Sequence, residues 1–292
     1  MNMQVSVTGK QVNENPLLAD LVQVGDYINY NASSNGAKMF LTSDCPAGVT
    51  INNSISTDDD FDSSAKAQWR VLSVDRNTGS IELISADPVN GPIILSGGDG
   101  FVNSKQVLDN IGAIYGQGKG AVKGRALSIE DINMYSRYTP SDKPTEIFTT
   151  GKFYKEIKDG NVIEYESTLT DASVEPNGVE MTQTYYAYAA RTYFSNKTIF
   201  DMIFLNSTNL SKTKEMSWLA TRCTSLGNES VSYLLQRIVG TYEQIGVYGN
   251  TMFRSNGETD TKAYSVIPVV ELQTNIQTTG QDANGVWQLN VN

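Results

Sequence analysis

Histidine is absent from this chain of 292 residues. That removes the Ser-His-Asp triad, the Cys-His proteases, histidine-ligated zinc and histidine-held haem. Cysteine occurs twice, at Cys45 and Cys223. Two are too few for a four-cysteine zinc site or a cysteine-ligated iron–sulfur cluster. They form one long-range disulfide or remain thiols, and a lone pair leaves both readings open. Positive charge is scarce: 22 Lys and Arg stand against 32 Asp and Glu, a net charge of −10. Such a surface repels phosphate backbones and lacks the basic face that anionic membranes attract, so no nucleic-acid partner is expected. No apolar run approaches the ~18 residues of a membrane span, and no membrane insertion is expected. The first residues, MNMQVSVTGKQVNENP, show no basic segment followed by an apolar one, so no signal peptide is expected.

What is present is polar but uncharged. Charged residues make up 18%, and glycine alone contributes 24 residues, a composition of loop-rich β proteins rather than of charge-driven disorder. Residues 1–20 read as an arm or an edge strand. Residues 21–30 read as strand, tight bend at Gly25 and strand, and 43–66 as a long polar loop. Gln68–Val74 alternates, Asp75–Gly79 supplies a turn and Ser80–Ser85 returns, a hairpin. Two helices follow. One starts near Asn103, carries Val107, Leu108, Ile111, Ile114 and Tyr115 on one face and stops at Gly116. The other begins at the Ser128-Ile-Glu-Asp131 capping box, with Ile129, Ile132 and Tyr135 on one stripe. The glycine-rich string 116–124 reads as a flexible connection between them. Residues 150–190 look β-rich, with a turn at Gly160, and Ser195 caps a short apolar helix through Ile199 and Phe204. The last third reads as short strands of a compact antiparallel sheet: 216–223, 231–239, 245–248, 252–254 and 263–272. Pro268 inside the last of these argues for an edge position or a bulge.

The order of Ser217-Trp-Leu-Ala-Thr-Arg-Cys223, a turn-rich stretch, and Tyr264-Ser-Val-Ile-Pro-Val-Val-Glu-Leu272 resembles a module of Gram-positive bacteria and their phages. That module pairs a "WLxSR" strand with a "GVRPVVxL" strand and is similar to the C-type lectin-like fold, which also holds formylglycine-generating-enzyme-like domains and phage receptor-binding proteins. Trp69–Ser73, Gly98–Asn103 and Arg125–Asp131 have counterparts in it, so the resemblance spans about residues 22–290 in separated short motifs. Two positions depart from the pattern: Ile267 stands where the usual Arg precedes Pro, and Ser265-Val266 replaces Gly-Val. The enzyme branch is similar in fold only. Its copper-dependent oxidase chemistry needs a cysteine pair in the C-terminal region, where only Cys223 lies, so its catalysis is not carried over.

Other candidates for chemistry are few. The acidic run Asp58, Asp60 and Asp62 offers oxygen ligands for calcium but lacks EF-hand spacing, and a solvated loop explains it. Glu164 and Glu166 lie on one strand face, too aligned to straddle a sugar, while Glu130 and Asp131 suit helix capping. Gly97–Gly100 lacks the Lys-Ser/Thr of a P-loop and reads as a tight turn before a helix. Trp69, Trp218 and Pro268 are assigned to the structural core. Tyr242, Tyr248, Asn250, Phe253, Arg254 and Asn256 fall between the two signature strands; ring faces with amides and an Arg suit sugar stacking or protein recognition. Loop packing or a subunit interface is the plainer explanation of the same residues.

The expectation is an α+β protein: a single lectin-like domain over 21–292, its signature at 216–272, with an antiparallel sheet on which the N-terminal hairpin and two helices pack. The resemblance implies a non-enzymatic phage virion structural, decoration or host-attachment protein. It would need no cofactor, and its partners would be other virion subunits or itself, as a homo-oligomer, and a surface glycan or protein. The alternatives are a secreted or cell-surface bacterial adhesion module and, less favoured, a formylglycine-generating-type enzyme.

Overall fold

The computed structural model describes residues 15–58, 69–135, 151–158, 161–167, 194–204, 215–224, 229–237, 246–254 and 260–291. For the strands at 151–158, 161–167, 229–237 and 246–254 the description is of the backbone. The chain opens with a single helical turn, α1 (Leu18–Leu21), then β1 (Tyr27–Asn29), β2 (Met39–Phe40), β3 (Val49–Ile51) and β4 (Ile55–Ser56). There follow β5 (Trp69–Asp75), β6 (Ser80–Ser85), β7 (Ile93–Ser96), the long helix α2 (Gly97–Tyr115), β8 (Ala121–Ala126) and α3 (Ile129–Tyr135). Next come β9 (Gly151–Lys158), β10 (Asn161–Ser167), α4 (Lys197–Phe204), β11 (Glu215–Thr224), β12 (Glu229–Arg237) and β13 (Gly246–Arg254). The last strands are β14 (Thr261–Val266), β15 (Pro268–Leu272), β16 (Gln277–Gln281) and β17 (Trp287–Asn290). The class is α+β, mostly sheet with few helices.

Two larger sheets carry the architecture. One has seven strands in the order β16-β17-β1-β5-β6-β15-β8; the other has six, in the order β13-β12-β11-β14-β7-β3. Hairpin β9–β10 and the pair β2–β4 stand apart from them. Both sheets are mixed: β1 runs parallel to β17, and β11 parallel to β14. The expected division into a C-terminal sheet and an N-terminal cap is therefore corrected, because strands from both halves interleave. β3 and β7 complete the six-stranded sheet, and β15 to β17 complete the seven-stranded one.

Helix α2 lies between the two sheets, touching β8 and β15 on one side and β7, β11 and β14 on the other. It can come this close because glycines face glycines. A Cβ on Gly112 would sit 2.1 Å from the Arg125 carbonyl carbon, and one on Gly116 would sit 2.0 Å from the Gly124 nitrogen. The string 116–124 is thus no flexible connection: its second half is edge strand β8, fixed against the helix. The helix also begins at Gly97, ahead of Asn103, so Gly97–Gly100 is its first turn rather than a turn before it. Gly48 presses there, its carbonyl oxygen 2.7 Å from where a Gly100 Cβ would be. Asn103 does not cap; its Nδ2 donates to the Ala47 carbonyl at 2.9 Å.

Alternation along the central strands divides two cores. Trp69, Val71, Ile81, Leu83, Ala126, Val270 and Leu272 face α2 and join Tyr30, Leu108, Ile111, Tyr115 and Trp218. Leu72, Ile84 and Val269 point the other way, onto Ile132, Phe194 and the apolar side of α4. The middle of the seven-stranded sheet is thus covered on both faces, which explains why Val71 and Leu72 are adjacent and both buried. Each such side chain contributes about 1.5–3 kcal/mol on burial.

Several local readings hold. The β5–β6 hairpin turns through Gly79 at φ +75°, with Asn77 N donating to Asp75 Oδ1 at 2.9 Å. Ser128 N donates to Asp131 Oδ2 at 2.8 Å and Asp131 N to Ser128 Oγ at 3.4 Å, the expected capping box of α3. Others are corrected. Leu21 ends a helical turn rather than opening a strand. The polar stretch from 43 carries β3 and β4. Helix α4 is capped by Asn196, whose Oδ1 accepts from Thr198 N at 2.9 Å, not by Ser195. Residues 245–248 and 252–254 merge into one strand, β13. The run 263–272 is two strands in two sheets, switching at Ile267 and Pro268. Pro268 opens β15, which lies between β6 and β8, so it is neither on an edge strand nor at a bulge. The first residue of a strand tolerates a missing N–H.

Candidate functional site

β15 and β16 lie near opposite ends of the seven-strand order, yet only the turn 273–276 joins them. The sheet therefore curls until its two ends approach. The gap between them is a cleft of about 510 Å3, lined from one side by Gly118–Ala121 and Asn35, and from the other by Gln273, Asn275–Gln277, Asn290 and Val291.

Its walls are held by the backbone. Gly118 N donates to the Tyr30 hydroxyl at 3.1 Å, and that hydroxyl donates onward to the Tyr115 carbonyl at 2.6 Å. Lys119 N donates to Ser34 Oγ at 2.7 Å, Asn35 Nδ2 to the Gln117 carbonyl at 2.9 Å, and Gln273 N to the Gly120 carbonyl at 2.8 Å. Gly120 adopts φ +83°, and a Cβ there would sit 2.8 Å from Ile276 Cδ1 and Val291 Cγ1. Burial pushes the Tyr30 phenol well above its ordinary pKa, against the smaller lowering effect of the Gly118 N–H, so the hydroxyl stays protonated and keeps both bonds.

The side chains that face the cleft are left free by this arrangement. Among the described residues, Lys119, Gln273, Asn275, Gln277 and Asn290 make no side-chain hydrogen bond or ion pair. Four carboxamides and one ammonium thus border a groove whose floor is the buried Ile276. Each carboxamide offers two donors and an acceptor, a set that matches vicinal hydroxyls and supplies no nucleophile.

A second polar cluster lies on the opposite face of the sheet. Arg125 grips Asp131 with two bonds, 2.6 and 2.8 Å, and Glu82 with a third at 2.8 Å. Ser73 Oγ donates to Glu82 Oε2 at 3.1 Å. Burial alone would pull the guanidinium pKa down, but the bonds and charges of Asp131 and Glu82 outweigh it and hold it above its ordinary value. The Tyr135 phenol beside them is raised by burial. Both carboxylates serve one cation, so this is a latch joining α3 to β6 and β8, with no acid–base pair set across an open groove.

The residues singled out from sequence scatter. Trp69 and Trp218 are 1% and 0% exposed, and Trp218 Nε1 donates to the Ile93 carbonyl at 2.8 Å, so the core assignment holds for both. Pro268 is buried with them, and Ile267, at the departing position, is 0% exposed in the second core. Tyr248, Asn250, Phe253 and Arg254 fall on β13, not in a turn-rich stretch, with Tyr248 opposite Leu234 and Asn250 opposite Ser232 on β12. That strand ends the six-stranded sheet, whereas the cleft opens in the seven-stranded one. Tyr242 and Asn256 lie outside the described residues, as do Asp60 and Asp62; Asp58 is exposed at a turn. Among the described residues no three His, Cys, Asp or Glu side chains gather as a metal site. The Cys45 thiol is free, and burial raises its pKa. Glu164 and Glu166 stand opposite Lys155 and Lys152 on β9.

The cleft residues escaped sequence reasoning because amides at 35, 273–277 and 290 form no motif. The one available signal was the density of Asn and Gln after position 272. No family model, no curated protein and no solved structure matches this chain.

Proposed function

We propose that this chain is a non-enzymatic surface protein that binds a hydroxyl-rich ligand, a cell-surface glycan, in the amide-lined cleft. In that role it serves as a phage virion structural, decoration or host-attachment protein of the C-type lectin-like kind. The observation that carries the binding role is the set of four uncommitted carboxamides around one groove on a rigid backbone frame. Because the backbone that carries the amides is already held, binding a hydroxyl-rich ligand does not bear the cost of ordering a loop. The lectin-like reading draws support from the two signature segments, which lie side by side: Ser217 pairs with Ser265 and Trp218 with Val266. The non-enzymatic reading draws support from the missing histidine and from the commitment of Glu82 and Asp131 to Arg125.

Glycan-array binding tests the proposal, with wild type, the Asn275→Ala/Asn290→Ala pair and Tyr248→Ala side by side. The expected outcome is binding by wild type, loss in the pair and retention in Tyr248→Ala. Loss only in Tyr248→Ala moves the site to β13, and no binding by wild type removes the glycan reading. The virion role is tested by the genomic neighbourhood: capsid and tail genes support it, and a sorting signal encoded upstream ends it.

A further inference from the structure

The sequence holds five Asn-Gly pairs, of which Asn35-Gly36, Asn90-Gly91 and Asn284-Gly285 lie among the described residues. Such pairs are chemically labile, because a glycine nitrogen has no neighbouring side chain to hinder its attack on the asparagine carboxamide. The attack needs that nitrogen free of other hydrogen bonds and a chain with room to bend. Two of the three pairs lack this freedom. Gly36 N donates to the Ser33 carbonyl at 2.8 Å, and the Asn35 carboxamide is held on the Gln117 carbonyl. Gly285 N donates to the Asp282 carbonyl at 2.9 Å, and Asn284 N to Asp282 Oδ1 at 2.8 Å.

Asn90-Gly91 shares the exposure and the positive φ of the other two pairs and differs in its hydrogen bonding. Asn90 is exposed, Gly91 sits at φ +103°, and nothing lies within 4 Å of where a Gly91 Cβ would be. Among the described residues, neither the Gly91 N–H nor the Asn90 carboxamide has a hydrogen-bond partner. We propose that Asn90 is a site of spontaneous deamidation through a cyclic imide with Gly91.

The Gly91 nitrogen bonds to Asn90 Cγ, the Cγ–Nδ2 bond breaks, and Nδ2 leaves as ammonia with the proton from Gly91. Water then opens the imide at either carbonyl and leaves aspartate or isoaspartate at position 90. No oxidant, reductant or metal enters the balance. The product carries a new negative charge, and the isoaspartate form lengthens the main chain by one carbon. That loop links β6 of one sheet to β7 of the other. Its nearest anchors are Val89 N, donating to the Val266 carbonyl at 2.9 Å, and Ser265 Oγ, donating to the Gly91 carbonyl at 3.3 Å, and neither engages the Gly91 nitrogen or the Asn90 carboxamide.

The test is peptide mass spectrometry of the full chain incubated at mildly alkaline pH in heavy-oxygen water, folded and in denaturant. Heavy oxygen marks conversion during incubation and excludes conversion during work-up. In the folded protein Asn90 is expected to convert roughly tenfold faster than Asn35 and Asn284, the rate equivalent of one hydrogen bond. In denaturant the three should converge. Asn90→Gln should abolish the signal at that position and leave the other two unchanged. Equal folded rates at the three sites, or an Asn90 that converts only in denaturant, would overturn the proposal.

Discussion

The two faces of the seven-stranded sheet pack aromatic rings by different rules. Toward α2, Tyr30 meets Trp69 edge-on at 5.3 Å and Trp69 tilts over Tyr115 at 6.3 Å. Both tyrosine hydroxyls end on backbone, at the Tyr115 and Ser56 carbonyls. On the other face Phe200 stacks on Phe204 at 5.0 Å and Phe194 meets both edge-on at 5.3 and 5.7 Å, with no polar tips. There the polar contacts are gathered instead in the Arg125 latch. The first arrangement fixes where each ring points and, through Gly118, fixes a wall of the cleft. The second fills volume and leaves orientation to a single ionic cluster at its border.

The largest effect is expected at the Arg125 latch. Arg125→Met takes the cation from the Asp131 carboxylate, which is 5% exposed and keeps only its Ser128 bonds, and should cost about 3–5 kcal/mol in urea unfolding. A loss below about 1 kcal/mol would show that the ionic cluster does not organise its face. Next in size is an alkaline effect on the tyrosine face. The folded Tyr30 pKa is raised above its unfolded value near 10. The folded state therefore retains a proton that the unfolded chain releases. Its contribution is whole below about pH 10 and declines above it by about 1.4 kcal/mol per pH unit. Thermal unfolding between pH 8 and 11 should show this decline, and Tyr30→Phe should flatten it.

At neutral pH, Tyr30→Phe removes one oxygen but leaves the Tyr115 carbonyl and the Gly118 N–H without that partner. About 1–3 kcal/mol should be lost. Smallest is Phe200→Leu, a near-conservative apolar swap expected to cost less than about 1.5 kcal/mol. If it costs more than Tyr30→Phe, the second face is as strictly ordered as the first.

Local chemistry was readable in the sequence where a few adjacent residues decide the outcome. The Asp75–Gly79 turn, the Ser128–Asp131 box and the stop at Gly116 all belong to that kind. What was not readable depends on partners distant in the chain. The run 263–272 is mostly apolar, and only the neighbours supplied by β7, β11, β6 and β8 show that it serves two sheets. The glycine string 116–124 read as a flexible connection, whereas the missing side chains of Gly116 and Gly124, with that of Gly112, are what let a helix and a strand touch. The cleft joins residue 35 to residue 290 through the curl of a sheet, which no spacing encodes.

The parallel pairing of β1 with β17, Ile28 beside Trp287 and Asn29 beside Gln288, has a mechanical meaning. Tension applied before Tyr27 and after Asn290 pulls these two strands lengthwise past one another. The bonds between them then bear the load together in shear instead of unzipping in turn.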